Sequence, residues 1–202
     1  MKHLKKLAPA LIAALLAACA SPSPAPVLLT LPSVSSAPAA AASPAPTASA
    51  PILAVRRVGI PEYLVARRVR YRADPSTLAE WPNTYWAERI EIGVSRSFVS
   101  ALRAQLPGWT LCDTSCGDHI PALTLQVEIV PMDYLRSAQK LQAHARITLT
   151  DGSATPRVLV TREMPYDLPA SADTAQAHAQ TIADLVQQVA QVAGPLVKSV
   201  QP

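Results

Sequence analysis

An α+β fold is predicted: a two-layer sandwich in which a mixed or antiparallel sheet carries two amphipathic helices packed on one face. Three observations lead there. Leu123, Leu125, Val127 and Ile129 alternate with Thr124, Gln126 and Glu128, and Leu141, Ala143, Ala145, Ile147 and Leu149 repeat the alternation. A period of two is the mark of half-buried strands. Ile90, Val94, Phe98, Leu102 and Leu106 recur at four-residue spacing, while Ile182, Leu185, Val186, Val189 and Val192 line another helical face. Each makes an apolar stripe that must be buried against something.

The elements follow in order from the N-terminus. Lys2, Lys5 and Lys6 precede an apolar run from Leu7 to Ala18. A spanning helix needs about 20 apolar residues, so this run is too short to cross a bilayer and reads as a secretory signal, residues 1–18. Its end, Leu16-Ala17-Ala18-Cys19, resembles the bacterial lipobox. Small side chains admit a peptidase, and the Cys19 thiol is the nucleophile suited to taking a thioether-linked diacylglycerol. Each buried methylene stabilises such an anchor by about 0.8 kcal/mol, and two chains hold it stably. The expectation is a protein anchored to the membrane without spanning it. By resemblance to proteobacterial lipoproteins, Ala20 after the cysteine, where an Asp would retain the protein in the inner membrane, favours the periplasmic face of the outer membrane.

Residues 19–51, the acylated cysteine and a stretch of mostly Pro, Ala and Ser, cannot bury enough apolar surface to offset ordering entropy and are expected as a tether. One island within it, Leu28 to Pro32 preceded by Val27, is apolar enough to dock as a strand. Removal of the signal takes three lysines and no acid, leaving 15 basic against 14 acidic side chains, a net charge of +1 instead of +4. That balance calls for no nucleic-acid partner.

Residues 52–202 have the length of one domain. Ile52 to Ile60 is β-rich and stops at Pro61. Val65 to Tyr71 and Thr77 to Trp81 read as a hairpin around Ala73-Asp74-Pro75. Asn83 is the expected N-cap of the first helix, which Pro107-Gly108 ends. After the two alternating strands, Arg157 to Met164 supplies another. The last helix is expected to open at Ser171, with Asp173 in its first turn, and to break at Gly194-Pro195.

Chemistry-bearing motifs are few. His144 falls on the polar face of a strand and His178 in a helix amid Ala and Gln, and both read as solvated histidines. No phosphate loop, His-Glu metal motif or nucleophile elbow is present, and no catalytic residue or cofactor is expected. Cys112-Asp113-Thr114-Ser115-Cys116 is the compact exception, with Asp118 and His119 close behind. On a straight strand these cysteines would sit roughly 13 Å apart, but Asp-Thr-Ser is turn chemistry and brings them together. A disulfide is the expected state in an oxidising periplasm, with free thiols or a metal site including His119 as alternatives. Arg67, Arg68, Arg70 and Arg72 crowd a short stretch. Strand alternation puts Arg68, Arg70 and Arg72 on one face, either as a solvated edge or as a surface that docks on acidic protein or lipid headgroups.

Ile60-Pro61-Glu62-Tyr63-Leu64, Trp86-Ala87-Glu88 and Leu106-Pro107-Gly108-Trp109 resemble, in order and separation, the landmarks of the PqiC-type auxiliary lipoproteins of ABC-type transport systems. The resemblance implies a non-enzymatic role in lipid movement between membranes. Its partners would be a periplasm-spanning MCE-domain protein and an associated inner-membrane permease, met by a homo-oligomeric ring at the outer membrane. Arg68, Arg70, Arg72 and Tyr63 are then the candidate partner contacts. The family's usual Tyr-Tyr-x-Leu opening is replaced by Leu28-Leu29-Thr30-Leu31-Pro32. The alternative reading is a free-standing lipoprotein that encloses a small apolar ligand between helices and sheet.

Overall fold

The computed structural model describes residues 24–32, 50–113 and 116–200; Cys19 with its lipobox and most of the Pro/Ala/Ser stretch lie outside the described residues. The elements in chain order are β1 (Val27–Leu29), β2 (Ile52–Val55), β3 (Arg68–Asp74), β4 (Thr77–Trp86), α1 (Ile90–Gln105), β5 (Thr110–Cys112), β6 (Leu123–Leu135), β7 (Lys140–Asp151), β8 (Val158–Pro169) and α2 (Ala175–Ser199). Short 3-10 turns stand at Glu62–Leu64 and Arg136–Ala138.

The alternating stretches form the long strands, and β6, β7 and β8 make an antiparallel meander. On its other side β6 is shared. Its start pairs in parallel with β2, which pairs in parallel with β5, and its last residue, Leu135, pairs with Arg72 of β3. From there β3 and β4 form the hairpin, and β1 adds in parallel to β4. The result is a mixed sheet of eight strands with two helices, an α+β fold as the patterns predict. A register shift between Ile129 and Met132 inserts one extra residue in β6. The bulge keeps Met132 and Tyr134 on the buried face that Leu125, Val127 and Ile129 began.

One face of the sheet shares its core with both helices. Val94, Phe98 and Leu102 of α1, Leu185, Val186 and Val189 of α2, and Ala145, Ile147 and Leu149 of β7 are each no more than 1% exposed. The space between helices and sheet is therefore filled by side chains. The opposite face is polar, and its charges pair across strands: Arg146 with Glu163 at 2.6 Å and Lys140 with Asp167 at 2.7 Å. The helices approach each other closely at Gly194, where a Cβ would lie 2.5 Å from the Cβ of Gln105.

Several local expectations are corrected. Asn83 does not cap the first helix; it lies within β4 at φ +49°, and its amide donates to the Pro24 and Ala25 carbonyls. An Asn tolerates the left-handed region and here uses its donors to hold the incoming chain. α1 starts instead at Ile90, after an extended Arg89 that supplies no side-chain cap. The second helix opens at Thr174, not Ser171: the Thr174 hydroxyl accepts the Ala177 N–H at 3.1 Å. Asp173 pairs with Arg136 at 2.9 Å rather than entering the helix. Nor does Gly194-Pro195 break α2, which runs on to Ser199. Pro195 is exposed, so its missing N–H costs one solvent-side hydrogen bond, while Ala193 and Val197 stay buried in the core. The apolar island docks: Leu29 and Leu31 are 8% and 6% exposed, and the Ala87 N–H donates to the Leu29 carbonyl.

Candidate functional site

Tyr63, at the centre of the first 3-10 turn, donates its hydroxyl to Asp133 on β6 at 2.8 Å. Burial, then the bond to the Asp133 carboxylate, raises the pKa of this phenol above its usual value. The Arg72 guanidinium stacks over the Tyr63 ring at 5.2 Å and pairs with the same Asp133 at 3.1 Å. Arg70 donates to the Tyr63 carbonyl at 2.9 Å and reaches Glu80 across the hairpin at 3.4 Å, while Arg68 pairs with Glu80 at 3.3 Å. The structure thus brings Tyr63, Arg68, Arg70 and Arg72 together and gives every one of the three arginines an acidic partner. Strand alternation predicts the shared arginine face, and the buried Val69 on the other side accords with it. What the sequence does not reveal is that Glu80, from the next strand, pairs with both Arg68 and Arg70 while Asp133, from β6, pairs with Arg72, leaving the stripe one charge in excess.

The three family landmarks prove to be joints. Pro61 is buried and its carbonyl accepts the Leu64 N–H at 3.0 Å, closing the turn that carries Tyr63. Trp86 ends β4 in the core at 4% exposure, edge-on to His178 with ring centroids 6.5 Å apart. Leu106 is buried at the end of α1, and its carbonyl accepts the Trp109 N–H at 3.2 Å. That turn needs Gly108 at φ +88°, a conformation other residues rarely adopt; Pro107 is exposed and Trp109 packs on the core. None of these side chains converges on a reactive centre.

His178 corrects the expectation of a solvated histidine. It is buried at 3% exposure and stacked on Tyr134, with centroids 4.3 Å apart. Burial lowers its pKa from 6.5 to about 3, so the ring is neutral. The signal that could have placed it is the helical offset from Ile182 and Leu185: positions four and seven residues before them on one stripe face inward. Ala and Gln neighbours concealed that offset.

Cys112 and Cys116 are joined in the structure as a disulfide with a Cα–Cα distance of 5.3 Å. Cys112 ends β5, beside β2, so the bridge ties a surface turn to the edge of the sheet. His119 is exposed, and its N–H donates to the Cys116 carbonyl. Among the described residues, no group of three or more His, Cys, Asp or Glu side chains is placed to hold a metal ion. No helix among them is long and apolar enough to cross a membrane.

A filled core, the ion-paired Arg68, Arg70 and Arg72 and landmark residues that act as joints describe a compactly packed α+β domain. The chain belongs to the family of ABC-type transport auxiliary lipoprotein components, whose model matches residues 31–193. Among solved structures it is similar to that of an uncharacterized protein, with a TM-score of 0.67, 18% identity, and coverage of 86% of this chain and 99% of the other. It is also similar to protein XCC0632 from Xanthomonas campestris, with a TM-score of 0.61, 18% identity, and coverage of 87% and 94%. At these identities the likeness shows the fold. No curated protein sequence matches the chain.

Proposed function

We propose that this protein is a non-catalytic auxiliary lipoprotein, held by acylated Cys19 on the periplasmic face of the outer membrane, that docks the periplasm-spanning component of an MCE/ABC-type lipid transport system. The observation that carries the reading is the family match over residues 31–193, directly behind the lipobox ending at Cys19. Docking of β1 supports it. From Cys19 to Val27 the chain spans no more than about 30 Å even when fully extended, so the domain stays beside its lipid. A short leash suits a subunit that receives a partner at the membrane surface. Its own copies assemble into the homo-oligomer that meets the MCE-domain protein, whose other end engages the inner-membrane permease.

The contact face in this reading is the one bearing Tyr63, Arg68, Arg70 and Arg72. Arg72 and Tyr63 are tied to Asp133, so charge is best removed at Arg68 and Arg70, which share Glu80. The acylated protein on phosphatidylcholine liposomes should co-sediment with its cognate MCE-domain protein. Arg68→Gln with Arg70→Gln should slow association and weaken its salt dependence, since rim charges steer encounter. Absence of co-sedimentation by the unmutated protein would overturn the docking role. Unchanged kinetics in the double variant would remove the arginine face from the contact.

A further inference from the structure

On the side of α1 away from the core, a groove of about 540 Å³ runs between the helix and the chain leaving β2. Its walls include Ile92, Arg96, Val99 and Arg103 from α1, and Val55, Arg56, Arg57 and Asp113 from the other bank. The lining thus sets four arginines against one carboxylate. The positions i, i+4, i+7 and i+11 from Ile92 put the α1 residues on one face, opposite the stripe that enters the core. The banks are fastened together: the Ser95 hydroxyl accepts the Val58 N–H at 3.0 Å and donates to the Glu91 carbonyl at 2.7 Å. Among the described residues, Arg96 pairs with Glu88 on the helix side, but Arg56, Arg57 and Arg103 enter no ion pair. This distinguishes them from Arg68, Arg70 and Arg72, which all have acidic partners. Ile92 is 40% exposed within the same groove, so it offers apolar surface beside the guanidinium groups.

From this combination we infer that the groove between α1 and the end of β2 binds one phosphate-headed anionic lipid, its phosphate held by Arg57 and Arg103 and its acyl chain lying over Ile92 and Val99. Guanidinium groups are suited to bidentate phosphate binding, and the volume falls within the range of about 300–1,000 Å³ typical of ligand sites. An acidic peptide would use the rim and leave the apolar floor unexplained. The chain's own segment over residues 33–49 carries no Asp or Glu and offers the arginines no countercharge. The site stands on these residues alone and does not depend on docking to an MCE partner.

The test uses the full acylated protein in a nonionic sugar detergent and a phosphatidylglycerol with a photoactivatable diazirine in its acyl chain. Cross-linked peptides from α1, containing Ile92 or Val99, are expected, and unlabelled phosphatidylglycerol should compete. Arg57→Gln with Arg103→Gln should cut labelling about tenfold or more, as expected for loss of two charge-assisted hydrogen bonds. Ile92→Ser should do so while leaving the thermal unfolding temperature near that of the parent, because this side chain is 40% exposed and not part of the core. Labelling that maps elsewhere, or that both variants retain, would overturn the proposal. So would competition by inorganic phosphate alone, which marks a free-anion site, or stronger competition by oligoglutamate, which marks a protein-docking surface. Loss of MCE co-sedimentation with labelling intact would refute the docking role and leave this site standing.

Discussion

His178 shows how a single side chain couples to pH. Its ring is neutral in the fold because burial lowers its pKa from 6.5 to about 3, whereas in the unfolded chain it takes up a proton near 6.5. Between those values the unfolded state binds the extra proton, so stability falls as pH drops from about 6.5 toward 3 and is fully retained above that window. The loss at its full extent is on the order of 5 kcal/mol. His178→Phe keeps a ring against Tyr134 and removes both the titration and an Nδ1 that has no hydrogen-bond partner. Urea unfolding midpoints measured from pH 7 to pH 4 should decline less steeply in His178→Phe than in the parent; parallel declines would show that other groups govern the acid sensitivity. At Cys112 and Cys116, non-reduced peptide mass spectrometry of exported protein should find a linkage two hydrogen atoms lighter than the dithiol. Complete alkylation of both thiols would contradict it. Closing so short a loop stabilises the fold by only about 2 kcal/mol on the chain-entropy model, so the reduced protein should remain folded.

Between elements, the close crossing of α1 and α2 at Gly194 is sensitive to a single added methyl. Gly194→Ala would gain up to about 1 kcal/mol in helix propensity. Against that, the new methyl meets the Gln105 Cβ at 2.5 Å, and neither atom can be moved by a rotamer change. Overpacking costs about 1–3 kcal/mol, and a 2.5 Å Cβ–Cβ approach belongs at the upper end, so the clash wins and a net loss of up to about 2 kcal/mol is expected in chemical denaturation. Combining it with Gln105→Gly should recover part of that loss, a coupling of at least about 0.5 kcal/mol. Strict additivity would mean that the helices separate freely. β1 illustrates the opposite case, an element too short to hold itself. Leu29 and Leu31 supply its buried surface, and the Asn83 amide clamps its approach through Pro24 and Ala25.

At the scale of the whole molecule, many of the described surface charges pair with one another, whereas Arg56, Arg57 and Arg103 of the groove enter no ion pair among the described residues. Replacing Cys19 by Ser should leave the chain without acyl groups and extractable from membranes without detergent. Persistence of Cys19→Ser in the detergent-requiring fraction would show that something other than the lipobox holds it. Acylated protein should fractionate with outer-membrane markers, which distinguishes the proposed location from retention in the inner membrane.

Periodicity alone determined the architecture. The alternation in β6 and β7 and the four-residue spacing in α1 are properties of consecutive residues, and burying those faces leaves few arrangements besides helices on a sheet. The turn at Leu106-Pro107-Gly108-Trp109 was legible for the same reason, since Gly108 is needed locally. What only the tertiary structure decided is where distant residues meet. Asn83 reads as a helix cap until β1 supplies carbonyls from more than fifty residues away. Gly194-Pro195 reads as a stop until the core on the inner face of α2 outweighs one lost hydrogen bond. His178 reads as solvated until Tyr134 covers it. The stripe of Arg68, Arg70 and Arg72 reads as a solvated edge or a docking surface, and only the fold pairs it with Glu80 and Asp133, whereas Arg56-Arg57 and Arg103, far apart in sequence, become neighbours only when α1 lies beside the end of β2. Local propensities are short-ranged and act at every position, but pairing of charge and burial of polar groups depend on contacts that chain order does not specify.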